Sequence, residues 1–83
     1  MTDMVVSAQI SVYPLRQPHL RPAVDAVLTE LQARGLHPEA GSMSTLVTGE
    51  ADAVFTALRD SFERVAETGH VVLVVTLSNA CPT

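Results

Sequence analysis

Lysine and tryptophan are absent from this chain, and cysteine and tyrosine occur once each. Each shortage closes a class of chemistry. Without lysine there is no Schiff-base nucleophile and no phosphate loop of the kind that ends in lysine. Five arginines against nine acids leave a formal charge of -4, so the clustered basic surface that nucleic-acid binding draws on is missing. Cys81 has no second cysteine with which to form an internal disulfide or to share a metal. No run approaches the roughly 20 apolar residues of a membrane span. The opening MTDMVVSAQ lacks the basic segment leading into an apolar one that marks a signal peptide. These absences predict a cytoplasmic protein with no nucleic-acid partner and no membrane insertion.

What is present is apolar. The 83 residues are 47% hydrophobic and only 17% charged. A chain of this length is expected to form a single domain, with an ordered core at about residues 5–80, and to bury roughly 60 to 65% of its extended surface. The surplus of apolar side chains must then enter a ligand cavity or a subunit interface, which favours oligomerisation.

Periodicity supplies the elements. From Val5 the chain alternates, with Ala8, Ile10 and Val12 on one face and Ser7, Gln9, Ser11 and Tyr13 on the other, which is the period of a strand. Pro14 ends it. A helix starts between His19 and Pro22, its stripe of Leu20, Val24, Val27, Leu28 and Leu31 closed by Gly35. LHPEAGSM suits an edge and turns into a second strand over Met43 to Thr48, which Gly49 closes. Glu50, Asp52, Val54, Phe55, Leu58, Phe62, Val65 and Ala66 write the second helix, with acids in its first turn and both phenylalanines expected in the core. HVVLVVTLS is a strand apolar on both faces.

The order strand, helix, strand, strand, helix, strand predicts an α+β, ferredoxin-like two-layer sandwich: a four-stranded antiparallel sheet with both helices on one face and the first strand between the third and the last. The bare face of such a sheet is not polar enough to stand alone. It calls for cover from another subunit's sheet, or for extension of this sheet across a subunit boundary.

Catalytic constellations are thin. His19, His37 and His70 each precede a different element, so no metal site is expected. His70 and Cys81 bracket the last strand, which holds them roughly 30 Å apart at 3.3 Å per residue. Neither Glu39 nor Glu50 has a nucleophile beside it in the pattern. Acylphosphatases share the fold, but the loop here, YPLRQPHLRP with Arg16, has no glycine, and the one asparagine is Asn79. No catalytic residue is assigned, and the chain is not expected to be an enzyme. Candidate binding residues are clearer. Tyr13 can stack on a flat ring, Ser44 and Thr45 point to opposite faces of one strand, Glu50 and Asp52 can attract a cation, and Asn79 follows the last strand at its edge.

ISVYPL, SMSTLVTGEADAVFTALRDSF and TGHVVLVVTLSNACP, in that order over about residues 8–82, resemble the YkoF-type family of thiamine- and hydroxymethylpyrimidine-binding proteins, related to a small thiamine-binding family. Matching positions are Tyr13-Pro14, Ser44-Thr45, Gly49, Ser78 and Cys81-Pro82. The resemblance implies a ferredoxin-like fold, non-catalytic binding of thiamine or its hydroxymethylpyrimidine precursor in uptake or salvage, and no cofactor. A two-domain architecture in that family implies that two or four copies of this single unit assemble. Ser44, Thr45 and Ser78 or Asn79 are the expected readers of the pyrimidine. The alternative is a structural or regulatory oligomerisation module of the same fold without a small ligand.

Overall fold

The computed structural model describes residues 4–80. Its elements follow in the order β1 (Val5–Pro14), α1 (Arg21–Ala33), β2 (Glu39–Ala40), β3 (Thr45–Glu50), α2 (Ala51–Ala66) and β4 (Val71–Ser78). All strand pairs are antiparallel, in the order β2-β3-β1-β4, and the two helices cover one face. This is the ferredoxin-like α+β sandwich, with β1 central as the order of elements requires.

Strand register decides which side chains meet the helices. Ala8 lies between Val47 and Leu77, and Ile10 between Thr45 and Val75, so these rows form the floor of the core. Val6, Ala8, Ile10 and Val12 are buried there. The alternate rows, Ser7 with Thr48 and Ser78, Gln9 with Leu46 and Thr76, Ser11 with Val74, and Tyr13 with Val72, lie on the uncovered face.

Helix α1 ends where the sequence says it should. Gly35 adopts φ 77°, a conformation that costs a residue with a Cβ, and its amide donates to Gln32 O at 3.0 Å while the Leu36 amide donates to Leu31 O at 3.1 Å. Those two bonds make a Schellman ending, and Leu31 and Leu36 are both buried behind it. The stripe of α1 is centred on Ala23, Val27 and Leu31, leaving Leu20 exposed just ahead of the first turn. Helices α1 and α2 run antiparallel, tied by Arg64 to Glu30 at 3.0 Å and by Arg34 to Asp60. The Arg34 hydrogen bond is the main reason the Asp60 carboxyl is held below its ordinary value.

Three expectations need correction. Phe55 and Phe62 are not core: they are 55% and 44% exposed, because α2 buries Ala51, Val54, Ala57, Leu58, Ser61 and Val65 instead. Small side chains at 51, 57 and 61 let α2 lie close to its neighbours, and the rings are left on the flank. Gly49 does not close β3 but lies within it, and Met43 belongs to the preceding turn. Glu50 is the last residue of β3 and, with extended backbone, the N-cap of α2, so only Asp52 lies in the helix's first turn.

Candidate functional site

Two depressions involve the predicted binding residues. The smaller, about 170 Å³, opens where the start of α1 passes over β1 and β3. Ile10 and Val12 rise from the sheet, Leu20 stands at the N-cap of α1 and Val24 within it, and residues 41–45 supply Met43, Ser44 and Thr45. Tyr13 stands at its mouth, half exposed. Thr45 pairs with Ile10, so its side chain faces the helix layer. It is only 5% exposed and is one of two buried polar side chains among the described residues, the other being Ser61. Ser44 takes the opposite face, where its hydroxyl accepts from Gln9 Nε2 at 3.3 Å. Ser11 donates to Met43 O at 3.4 Å and holds the same turn against β1. The turn itself is closed by the Gly41 amide donating to Ser44 O at 2.7 Å.

The larger depression, about 530 Å³, is an open groove across the uncovered face of the sheet. Ser7 and Thr48 share a hydroxyl hydrogen bond of 2.9 Å at one end, Gln9, Leu46 and Thr76 form the floor, and His37 and Glu39 stand at the β2 margin. Ser78 reaches this groove, with its hydroxyl accepting from the Ala80 amide at 3.0 Å.

The nine residues selected from the sequence are therefore divided. Tyr13, Ser44 and Thr45 line the smaller depression, Thr45 from the helix face and Tyr13 and Ser44 from the other face of the sheet. Gly49, Glu50, Asp52, Ser78 and Asn79 belong to the other end of the sheet, where Val6 pairs with Gly49, Val5 with Glu50 and Ser7 with Ser78. Along β3 that separation is roughly 13 Å for four residues at 3.3 Å each. Asp52 and Asn79 are exposed. Gly49 has a packing duty of its own, since a Cβ there would overlap Leu36 Cδ2, with Val54 Cγ2 at 3.7 Å. Cys81 lies outside the described residues.

Residues that sequence reading did not assign also line the smaller depression, notably Leu20, Val24 and Met43. Leu20 carried a signal, since it begins the apolar stripe yet lies ahead of the first helical turn. Gln9 was visible as a polar residue on the bare face, but its bond to Ser44 depends on the conformation of the turn. None of the residues lining the smaller depression is charged. Among the described residues no three histidine, cysteine, aspartate or glutamate side chains are grouped so as to hold a metal ion. No helix among them is long and apolar enough to cross a membrane.

Residues 5–83 match the model of a family described as YKOF-related. No curated protein matches the chain. Solved structures share its fold. A hypothetical protein from Methanocaldococcus jannascii aligns with TM-score 0.83 and 21% identity, over 90% of this chain and 79% of that one. A protein from Streptococcus pneumoniae gives 0.80 and 23%, over 90% and 86%. A candidate thiamine biosynthesis or salvage protein from Thermotoga maritima gives 0.77 and 20%, over 89% and 82%.

Proposed function

The chain belongs to the YKOF-related family, and from that premise we propose that it binds hydroxymethylpyrimidine or thiamine without transforming it, with the pyrimidine ring in the Tyr13–Ser44–Thr45 cavity. The observation that carries this reading is the position of Thr45, a buried hydroxyl placed among apolar side chains at a cavity of ring size. A cavity of about 150 Å³ accommodates a benzene-sized ring. The 170 Å³ here is of the size of one substituted six-membered ring. The thiazolium of thiamine projects from the mouth, past Tyr13, whose ring face favours a cation.

Recognition follows from hydrogen-bond inventory. An aminopyrimidine offers one amino donor and ring-nitrogen acceptors, and a threonine hydroxyl can serve either kind. Ile10, Val12, Leu20 and Val24 supply the apolar walls that a flat ring needs. With no cationic side chain in the lining, nothing there engages a diphosphate, so the unphosphorylated ligands bind best. Ser78, Asn79, Glu50 and Asp52 serve a part of the ligand, or a second ligand, at the far end of the sheet. The reading places the protein in uptake or salvage of the vitamin, in the cytoplasm, as a homodimer or homotetramer without a cofactor.

Thermal unfolding with each of thiamine, hydroxymethylpyrimidine and thiamine diphosphate tests it. Ligand at about 100 times its dissociation constant adds roughly 2.7 kcal/mol, a shift on the order of 10 °C for a domain of this size. Hydroxymethylpyrimidine and thiamine should shift the transition and the diphosphate least. Absence of any shift, with no heat in calorimetry, leaves the ligand-free oligomerisation module as the reading.

A further inference from the structure

Strand β1 outruns the strand beside it. Its pairing with β3 ends at Ile10 and Thr45, whereas its pairing with β4 continues through Ser11, Val12 and Tyr13 to Pro14. Beyond Ile10, β1 is therefore paired on the β4 side alone. The place where β3 would continue is taken by a turn, closed by the Gly41 amide donating to Ser44 O at 2.7 Å. The smaller depression opens against this stretch of β1.

Two hydrogen bonds just outside the ladders fix which backbone groups point into the gap. The Ala51 amide donates to Met4 O at 2.9 Å, one step beyond the β1–β3 register, and the Leu15 amide donates to His70 O at 2.9 Å, one step beyond the β1–β4 register. In an antiparallel ladder, hydrogen-bonded pairs alternate with pairs that are not bonded. Even-numbered residues of β1 thus turn both N–H and C=O toward β3, and odd-numbered ones turn theirs toward β4. Val6, Ala8 and Ile10 spend these groups on Gly49, Val47 and Thr45. Val12 comes next. Its counterpart by register, Met43, lies ahead of β3, and the Met43 carbonyl accepts from the Ser11 hydroxyl at 3.4 Å instead. Among the described residues, no group meets Val12 N–H or Val12 C=O. The residue is only 7% exposed, and backbone groups so buried are rarely left unpaired.

We propose that this backbone pair is the specificity element of the depression: Val12 N–H donates to a ring nitrogen of the ligand while Val12 C=O accepts from the amino group on the adjacent carbon. The inference rests on the pyrimidine reading proposed above and names the edge by which the ring is held. N–H and C=O of one extended residue lie side by side, and an aminopyrimidine presents an acceptor and a donor on neighbouring atoms, so both bonds form together. The Thr45 hydroxyl is left for another polar atom of the same ring. An added β-strand is a poorer occupant, because it needs a row of open groups. Here Ile10 is already paired and Pro14 has no N–H to offer. A main-chain reader leaves no mark in residue type, so composition and spacing do not reveal it.

Amide exchange followed by NMR on the full chain, free and saturated with hydroxymethylpyrimidine, tests the contact. In the free protein the Val12 amide should exchange about tenfold or more faster than those of Ala8 and Ile10. Ligand should slow it at least about tenfold relative to the Ser11 and Tyr13 amides, which face β4. In calorimetry, the same pyrimidine without its amino group should bind about tenfold more weakly, since Val12 C=O then has no donor to meet. A Val12 amide as slow as that of Ile10 in the free protein overturns the open edge. If hydroxymethylpyrimidine binds with saturable heat but Val12 exchange does not change relative to those two amides, or the amino group makes no difference to affinity, this contact is overturned and the pyrimidine reading stands. No heat with either compound overturns that reading, and the contact with it.

Discussion

Thr45 and Gly49 stand on the same face of the same strand, four residues apart, and meet the helix layer in opposite ways. Over Gly49 the layer is tight: Leu36 occupies the space that a Cβ would take. Beside Thr45 it is open, with Leu20 at the N-cap of α1, Val24, Ile10 and Val12 lining a depression. One end of β3 is thus closed by packing and the other is left open. A motif containing both residues joins a packing requirement at Gly49 to the recognition role proposed for Thr45, and only the surroundings tell the two positions apart.

The largest expected effect breaks the closed end. Gly49→Ala forces buried Leu36 out of place, and overpacking of this kind costs about 1–3 kcal/mol. Chemical denaturation should show that loss, while the fraction that remains folded binds ligand with unchanged affinity. Thr45→Val then probes the open end. It removes the hydroxyl and keeps the shape, so the affinity for hydroxymethylpyrimidine should fall roughly tenfold while stability holds or rises. Opposite outcomes for the two variants are what the comparison requires.

Ser61 sharpens it from inside the core. Its hydroxyl is buried and has no hydrogen-bond partner among the described residues, and no cavity described above reaches it. Ser61→Ala should therefore stabilise the protein by about 1 kcal/mol, seen as a raised denaturation midpoint, without effect on binding. If Thr45 were merely another such hydroxyl, Thr45→Val would behave like Ser61→Ala in both measurements.

The smallest effect lies outside the sheet. Asp60 is held below its ordinary value of 3.8, first by its hydrogen bond from Arg34. A depressed carboxylate contributes stability above its unfolded value and loses that contribution as pH falls through the folded one. In Asp60→Asn the decline of stability through that acidic window should be shallower than in the wild type, with a slight loss at neutral pH; an unchanged acid limb would remove the pair from the account.

Much of this fold is legible in the pattern. Alternation from Val5 to Tyr13 assigns the buried face of β1 correctly, because a central strand with one covered face has no freedom to slip by one residue. Gly35 marks the end of α1 because its positive φ is a local requirement. The phenylalanines of α2 mislead, since size suggests burial whereas close helix packing selects Ala57 and Ser61 for the contact. For the site, parity along β3 shows that Ser44 and Thr45 face opposite ways. Which of them turns toward the helices is fixed by the pairing of Thr45 with Ile10, a contact between residues distant in the chain. The cavity depends in addition on how far α1 stands from the sheet at Leu20, and no local pattern encodes that distance. Ser78 and Asn79 follow the same logic from the other side. Their strand order is readable, but antiparallel pairing takes them to the end of the sheet away from Ser44.

The most direct measurement is titration calorimetry of hydroxymethylpyrimidine into the wild type and into Thr45→Val, each first shown to be folded. Saturable heat in the wild type and a roughly tenfold weaker isotherm in the variant are the predicted result. Equal affinities in the two proteins, or no heat in the wild type, would contradict a pyrimidine site at Thr45.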